Sequence, residues 1–178
     1  MNQLALFDVL PRAPRIRDVL RLDETAPVDP TSYDVVIVMF SGGKDSVACV
    51  LSLLEMGITP ELWHHDIDGR GQNVWDWPVT PAYCDAFAAA FDLKIYHSWR
   101  VGGLTGELLK ENDRTKPIVF QTPDGQQQAG GERGAISTRR RFPALTASLM
   151  TRWCSSIAKI DVSAAAIAGQ ERFKGKRI

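Results

Sequence analysis

The strongest constraint in this sequence is a run of six apolar residues, positions 35–40, that leads directly into a glycine-rich turn. A run of this length, rich in β-branched residues and bounded by glycine, predicts a buried strand. The turn reads Ser41-Gly42-Gly43-Lys44-Asp45-Ser46, and apolar residues then recur at Val47, Val50, Leu51 and Leu54. That spacing predicts a helix, so the segment is interpreted as strand, tight turn and helix start.

The chemistry of this turn favours an anion. Gly42 and Gly43 carry no Cβ, so the backbone can adopt positive φ and bring its N–H groups close to a ligand. The Ser41 and Ser46 hydroxyls and the unpaired donors of the helix start point to the same place. Lys44 adds a positive charge, whereas Asp45 beside a phosphate would have to cap the helix or hold a cation.

Strands and helices alternate beyond the turn. The pattern predicts a helix over 44–56 that ends at Gly57, a strand over 61–66, a helix over 81–93, a strand over 94–99 and a helix over 104–111. Such alternation predicts an α/β fold, in which helices flank a parallel β-sheet of the Rossmann-like kind. Ligands of such sheets bind beyond the carboxyl ends of the strands, so the loop over 67–77 is a candidate site element.

The second half of the chain is less regular. Between 112 and 137 the pattern dissolves into proline, glycine and glutamine, which predicts a mobile substrate loop or disorder. After Pro143, a helix is predicted with Leu145, Leu149, Trp153 and Ile157 on one face, followed by an alanine-rich helix over 161–170. Residues 1–30 are interpreted as a proline-rich N-terminal extension, and 31–178 as one domain that contains the anion-binding turn.

Composition narrows the class of protein. The 178 residues are 44% apolar with a formal net charge of zero, and no apolar run approaches the length of a membrane span. Cys49, Cys84 and Cys154 are too few and too scattered for a disulfide framework, which favours the cytoplasm. Cys49 and Cys84 are expected to be small core residues. Zero net charge argues against strong non-specific binding of nucleic acid.

Two further groups of residues are candidates for function. His64, His65, Asp66 and Asp68 are metal-ligand types, but no further His or Cys pair completes a shell, so lining of a ligand pocket is favoured over a metal site. Arginine is concentrated at Arg133, Arg139, Arg140, Arg141 and Arg152. These guanidinium groups suit phosphate, sulfate or a nucleic-acid backbone, and the alternative interpretation is solvated surface.

The turn resembles a known family signature. Its glycine spacing differs from the GxxxxGK[ST] loop of kinases and GTPases, whereas it matches the SGGxDS motif of the PP-loop ATP pyrophosphatases, the adenine-nucleotide α-hydrolase-like superfamily. The chain further resembles the phosphoadenosine phosphosulfate (PAPS) reductase-like proteins of mobile elements, including those that accompany type IV CRISPR systems. The stretches that carry this likeness are 63–69, 76–80, 138–143 and 152–155 with Lys159.

The resemblance implies an enzyme that binds ATP with Mg²⁺ and breaks the bond between the α and β phosphates. By that likeness, the catalytic residues are Lys44, Asp45 and Ser46. The nucleotide is expected to contact Phe40, Ser41, Gly42, Gly43, Lys44, Asp45, Ser46, His65, Asp66 and Asp68. An unknown second substrate is expected to contact Arg139, Arg140, Arg141, Arg152, Cys154 and Lys159. The resemblance also implies one further strand beyond residue 178, supplied by a longer chain or by another one.

Two alternatives stay open at this stage. The first is a sulfonucleotide reductase, although Cys154 stands alone, so no iron–sulfur cluster is expected. The second is a non-catalytic nucleotide-binding subunit of a CRISPR or nucleic-acid modification complex. A protein partner or a homodimer fits the second alternative, and nucleic acid would bind through the arginine-rich segment.

Overall fold

The computed structural model describes residues 28–71, 73–148 and 151–178. Its five strands are β1 (Ile37–Met39), β2 (Glu61–Asp66), β3 (Ile95–Arg100), β4 (Ile118–Thr122) and β5 (Gly125–Ala129). Its α-helices are α1 (Lys44–Glu55), α2 (Thr80–Ala90), α3 (Gly103–Leu108), α4 (Trp153–Ser155) and α5 (Asp161–Ala168), and a π-helical segment (Ser156–Ile160) joins the last two. Short 3₁₀ turns lie at Pro30–Ser32 and Glu171–Phe173.

The strands form one open sheet in the order β1-β2-β3-β4-β5. The β1–β2 and β2–β3 pairs are parallel, whereas the β3–β4 and β4–β5 pairs are antiparallel. The protein is therefore an α/β protein with a mixed sheet, and the predicted parallel arrangement holds for the first three strands. The first three helices also lie where the sequence pattern predicts them, within a few residues at each end.

The prediction of a mobile loop or disorder between 112 and 137 is wrong, because this segment contains the β4–β5 hairpin. The corner is closed by Thr122, whose hydroxyl donates to the Gly125 carbonyl (2.9 Å) and accepts from the Asp124 amide (3.2 Å). Pro123 and Asp124 are turn formers, and Gly125 has a φ of 119°. β5 consists mainly of exposed glutamines, so the sequence lacks the apolar alternation that marks a strand.

The core lies on both faces of the sheet. Successive residues of a strand point to opposite faces, and Leu62 and Trp63 of β2 accordingly belong to different clusters. On one face, α1 and α2 pack their buried residues Val50, Cys84 and Ala88 against Val38, Phe40 and Leu62. On the other face, α5 contributes Val162 and Ala166, which pack with Trp63, Ile118, Phe120 and Phe173.

Two predictions about helical faces are corrected by the structure. Residues 144–148 form no helix, and Leu145 is fully exposed, so it does not share a buried face with Trp153 and Ile157. Cys49, predicted to be a core residue, lies on the exposed side of α1 because the buried position of that turn is Val50. The alanine-rich helix is confirmed as α5. Leu149 lies outside the described residues.

The predicted N-terminal extension also falls mostly outside the described residues, since the description begins at Val28. At the other end of the chain, the Arg177 carbonyl accepts hydrogen bonds from the amides of Asp34 and Val35 (3.0 and 3.3 Å). The last residues therefore lie beside the segment that leads into β1. Within the described ranges, no helix combines the length and the apolar character needed to cross a membrane.

Candidate functional site

The glycine turn lies at the carboxyl end of β1, and its shape depends on Gly42. This residue has a φ of 74°, which disfavours a side chain. A Cβ on it would lie 2.9 Å from Tyr83 Cδ1 and 3.2 Å from Cys84 Sγ. Packing against α2 therefore leaves no room for a side chain here, and the close approach fixes the path of the turn.

The polar groups of the turn converge on the start of α1. The Ser46 hydroxyl donates to the Gly43 carbonyl (2.9 Å), and the Ser41 hydroxyl accepts from the Gly43 amide (3.3 Å). The two hydroxyl oxygens are themselves 3.3 Å apart. Among the described residues, no side chain caps the helix N-terminus, so its first amide groups remain available as donors. Lys44 and Asp45, both exposed, flank this position. The arrangement suits a negatively charged group.

A cavity of about 490 Å³ opens beside the turn. Its walls come from the carboxyl ends of β1 and β2, from the loop after β2, and from the π-helical segment and α5. The lining residues are Met39, Phe40, Ser41, Trp63, His64, His65, Ile67, Trp75, Asp76, Lys159, Ile160 and Ser163. The structure thus brings four of the predicted site residues, Phe40, Ser41, His65 and Lys159, to one cavity. The turn itself borders the cavity through Ser41.

His65 joins three elements behind this cavity. Its Nδ1 lies 2.6 Å from the Ser98 hydroxyl, and its Nε2 lies 2.7 Å from the Ser163 hydroxyl. Because Ser163 donates its own proton to the Lys159 carbonyl, His65 Nε2–H must be the donor to Ser163, and Nδ1 accepts from Ser98. Burial lowers the pKa of His65 to about 4, with smaller electrostatic contributions from the neighbouring His64 and Lys159. His65 is therefore a neutral cross-link between β2, β3 and α5.

The carboxylates of Asp66 and Asp68 organise the loop after β2. Asp66 accepts hydrogen bonds from the amides of Asp68, Gly69 and Arg70, at 2.9, 3.1 and 3.2 Å. Asp68 is buried, and its two carboxylate oxygens accept hydrogen bonds from the backbone amides of Trp75 (3.1 Å, to Oδ1) and Asp76 (3.1 Å, to Oδ2). These bonds define the loop rather than present free carboxylates. Among the described residues, no group of three or more His, Cys, Asp or Glu side chains is placed to hold a metal ion.

A second, smaller cavity of about 200 Å³ adjoins the first. Asp66 and Asp68 line it together with Arg70, Asn73 and Trp77, and it shares His64 and Asp76 with the larger cavity. These two residues therefore border both spaces. The loop after β2 is held against the start of α3 by the Leu104 amide, which donates to the Ile67 carbonyl (2.8 Å).

One of the predicted anion-binding arginines, Arg139, lies away from the turn, beside the buried carboxylate of Glu107. Glu107 Oε1 accepts from Lys110 Nζ (2.7 Å) and from Arg139 through Nε (3.1 Å) and Nη2 (3.0 Å). Arg139 also stacks on Trp153, with its guanidinium carbon 4.2 Å from the ring centroid. Two cations around one carboxylate leave this cluster with an excess of positive charge.

A cavity of about 330 Å³ lies at this cluster, lined by Lys110, Ser137, Thr138, Arg139 and Arg141. Arg140 points elsewhere and pairs with the exposed Glu111 (2.8 Å). In the described part of the chain, no residue of this wall belongs to the cavity beside the glycine turn. The structure therefore places Lys159 beside the turn, and Arg139 and Arg141 in a separate basic pocket.

The remaining predicted residues, Arg152 and Cys154, lie in the segment that joins these two regions. Both side chains are half-buried, and Arg152 Nε is enclosed without a hydrogen-bond partner among the described residues. Cys84, by contrast, is fully buried, and burial raises its pKa to about 12, so it remains a thiol. The prediction of Cys84 as a core residue is confirmed.

Several residues of the site were not identified individually from the sequence, although Trp75 lies in the loop over 67–77, a candidate site element. Trp75 lines the large cavity and donates through Nε1 to the Thr105 hydroxyl (2.8 Å), and Ser163 receives the His65 bond from a helix late in the chain. Glu107 lies near the end of α3, in a stretch without other charged residues. Comparisons of the chain with protein-family models, with curated proteins and with solved structures gave no match.

Proposed function

We propose that this protein is a nucleotide-binding enzyme of the PP-loop class that cleaves ATP between the α and β phosphates to give AMP and pyrophosphate. The proposal includes the finer fold assignment, the Rossmann-like fold of the adenine-nucleotide α-hydrolase-like superfamily. It is supported by the SGGxDS match at positions 41–46 and by the α/β sheet in which that turn lies.

One observation carries the proposal. The turn over 41–46 combines two serine hydroxyls, a lysine and an uncapped start of α1, and it adjoins a cavity of about 490 Å³ at the carboxyl ends of β1 and β2. Donors at a helix start suit phosphate, and a partly apolar cavity of several hundred cubic ångströms suits a nucleoside. A nucleotide would therefore place its phosphates on the turn and its nucleoside in the cavity.

The reaction follows from this placement. An oxygen nucleophile, water in the simplest case, attacks the α phosphorus, and the bond to the bridging oxygen of the β phosphate breaks. The bond's electron pair leaves with pyrophosphate, and the proton of the attacking group passes to solvent or to a base. Donors of the turn and Lys44 stabilise the negative charge that accumulates on the leaving pyrophosphate.

Magnesium would enter with the triphosphate. Mg²⁺ usually takes one or two carboxylates and several phosphate and water oxygens, so it does not require a preformed cluster of protein ligands. Asp45 is exposed in the first turn of α1, where its carboxylate can reach a cation held by the phosphates. In this role Asp45 would offset its own repulsion from the nucleotide.

The basic residues Lys159, Arg139 and Arg141 would bind a second substrate. Lys159 lines the cavity beside the turn. Arg139 and Arg141 line a second pocket, whose wall has no acidic side chain among the described residues, and Arg139 pairs with the nearby Glu107. A phosphate- or sulfate-bearing acceptor would suit that charge. Hydrolysis would then be the reaction that occurs when no acceptor is present.

Product analysis tests the proposal. The protein is incubated with ATP and Mg²⁺, and AMP, ADP, phosphate and pyrophosphate are separated. Formation of AMP and pyrophosphate in equal amounts supports the proposal if Lys44→Ala loses this activity and Lys94→Ala retains it. Lys94 serves as the control because it is exposed and precedes β3, at the end of the sheet opposite the turn. ADP as the main product would contradict the bond chosen. Tight ATP binding without any product would favour a nucleotide-sensing subunit.

A further inference from the structure

His64 is a buried residue with an unused hydrogen-bonding atom. The residue is only 2% exposed, yet it lines both cavities, those of about 490 and 200 Å³. Its ring approaches His97 edge-on, with centroids 5.4 Å apart. A polar ring in this position is expected to have a partner for each nitrogen.

The position of the proton on the ring is determined by a backbone carbonyl. His64 Nδ1 lies 3.0 Å from the Phe40 carbonyl oxygen, which can only accept. Nδ1 must therefore carry hydrogen. The Cys84 sulfur lies 3.6 Å from the same nitrogen, and as a thiol it offers only a weak second acceptor.

The other nitrogen is consequently a bare acceptor. Burial lowers the pKa of His64, outweighing the opposing effects of the Phe40 hydrogen bond, Asp66 and Asp76, so the ring is neutral near pH 7. Nε2 makes no hydrogen bond within the described residues. Among the described residues, the fully enclosed atoms without a partner are His97 Nδ1, Arg152 Nε and Trp153 Nε1. His64 Nε2 is not one of them, so it is not fully enclosed. Nε2 therefore keeps some accessible surface, and the spaces that His64 lines are the two cavities.

We propose that His64 determines ligand specificity at this site, its Nε2 accepting a hydrogen bond from an N–H or O–H group of the nucleoside. This inference rests on the proposed function and adds to it the feature of the ligand that is recognised. Two groups of adenosine offer the required donor, the 6-amino group of the base and the ribose hydroxyls. The neighbouring His65 cannot do this, since both of its nitrogens are bonded within the protein.

The expected discrimination follows from burial. A ligand without a donor leaves Nε2 dehydrated and unpaired, and a ligand with a carbonyl oxygen at that point brings two lone pairs together. Leaving a buried polar group unsatisfied typically weakens binding by about tenfold or more. A ligand that donates to Nε2 should be favoured over its donor-free analogue by about that factor.

Binding measurements with matched nucleotides and variants test the inference. Dissociation constants are measured by calorimetry with Mg²⁺ for ATP, its 6-desamino analogue purine riboside triphosphate, 2′-deoxyATP and 3′-deoxyATP. The variants are His64→Asn, whose amide can keep the bond to the Phe40 carbonyl but cannot reach the Nε2 position, and His64→Gln, whose longer side chain restores a polar group there. Thermal unfolding of each variant confirms that it folds.

The expected result is that the wild-type protein binds ATP about tenfold or more tightly than one of the three analogues. The analogue that is penalised identifies the base amino group or the ribose hydroxyl as the donor. His64→Asn should abolish that preference, and His64→Gln should recover part of it. Equal affinities for all four nucleotides, or an unchanged preference in a folded His64→Asn protein, would overturn the inference while leaving nucleotide binding intact. Absence of binding by the wild-type protein would contradict both proposals.

Discussion

Replacement of Gly69 by alanine should destabilise the protein, because two glycines allow the loop after β2 to contact the start of α3. Gly69 has a φ of 76°, and a Cβ on it would lie 2.3 Å from the Gly103 nitrogen and 2.6 Å from the Arg100 carbonyl oxygen. The obstructing atoms belong to the backbone, so no side-chain rotation can make room. Either β2 and β3 must separate at their carboxyl ends, or the loop must move.

The magnitude has two parts. Alanine in a left-handed conformation costs roughly 1–2 kcal/mol. Overpacking that forces the backbone to shift adds typically ~1–3 kcal/mol, which gives a total loss of about 2–5 kcal/mol in the free energy of unfolding. Gly57→Ala supplies the matched control. Gly57 has a nearly identical φ of 75°. Apart from its own helix and chain neighbours, no described residue comes within 4 Å of the position its Cβ would take, so only the first part applies.

The assay is urea denaturation of the wild-type protein and the two variants, with unfolding monitored by circular dichroism. Gly69→Ala should lower the free energy of unfolding by at least about 1 kcal/mol more than Gly57→Ala. It should also weaken ATP binding, since the same loop carries Ile67, Trp75 and Asp76 of the cavity wall. Equal losses in the two variants would show that the loop does not approach α3 this closely.

Two further predictions concern buried ionisable groups. Glu107→Gln should lower the free energy of unfolding by about 3–5 kcal/mol, because it leaves two cations without their shared carboxylate, whereas Glu111→Gln at an exposed pair should cost less than about 1 kcal/mol. The depressed pKa of His65 means that the unfolded chain binds more protons than the folded one between pH 6.5 and about 4. Stability should therefore fall by up to about 3 kcal/mol as pH drops through this window, and His65→Gln should show a smaller fall in chemical denaturation. An unchanged pH dependence in His65→Gln would contradict the lowered pKa of His65. Equal losses of stability in Glu107→Gln and Glu111→Gln would contradict the structural role of the buried Glu107 pair.

The parts of the fold that could be predicted are those with strong local patterns. The apolar run over 35–40, the glycines that follow it and the spacing within α1 together specify a strand, a turn and a helix without reference to the rest of the chain. The β4–β5 hairpin could not be predicted from the sequence pattern, because β5 is stabilised by pairing with β4 rather than by an apolar face. Leu145 fits a helical spacing, but no packing surface covers it, and the segment remains irregular.

The candidate site was predictable in its turn and less so in its walls. Ser41 and Gly42 lie where the motif predicts, at the end of the first strand. The bond between His65 and Ser163 spans 98 positions, and no local pattern can report a contact across that distance. For the same reason, the spacing of the arginines could not reveal that Arg139 would pair with Glu107, or that Arg139 and Arg141 would line a separate pocket.

The most direct test of the central claim is the affinity for ATP of a protein with reversed charge at the turn. ATP binding with Mg²⁺ is measured for the wild-type protein, for Lys44→Glu and for Lys94→Glu, an exposed lysine away from the turn. If the turn holds the phosphates, Lys44→Glu should weaken binding by at least about tenfold, since it replaces an attraction by a repulsion at close range. Lys94→Glu should bind ATP like the wild-type protein. Equal affinities for all three proteins would contradict the account.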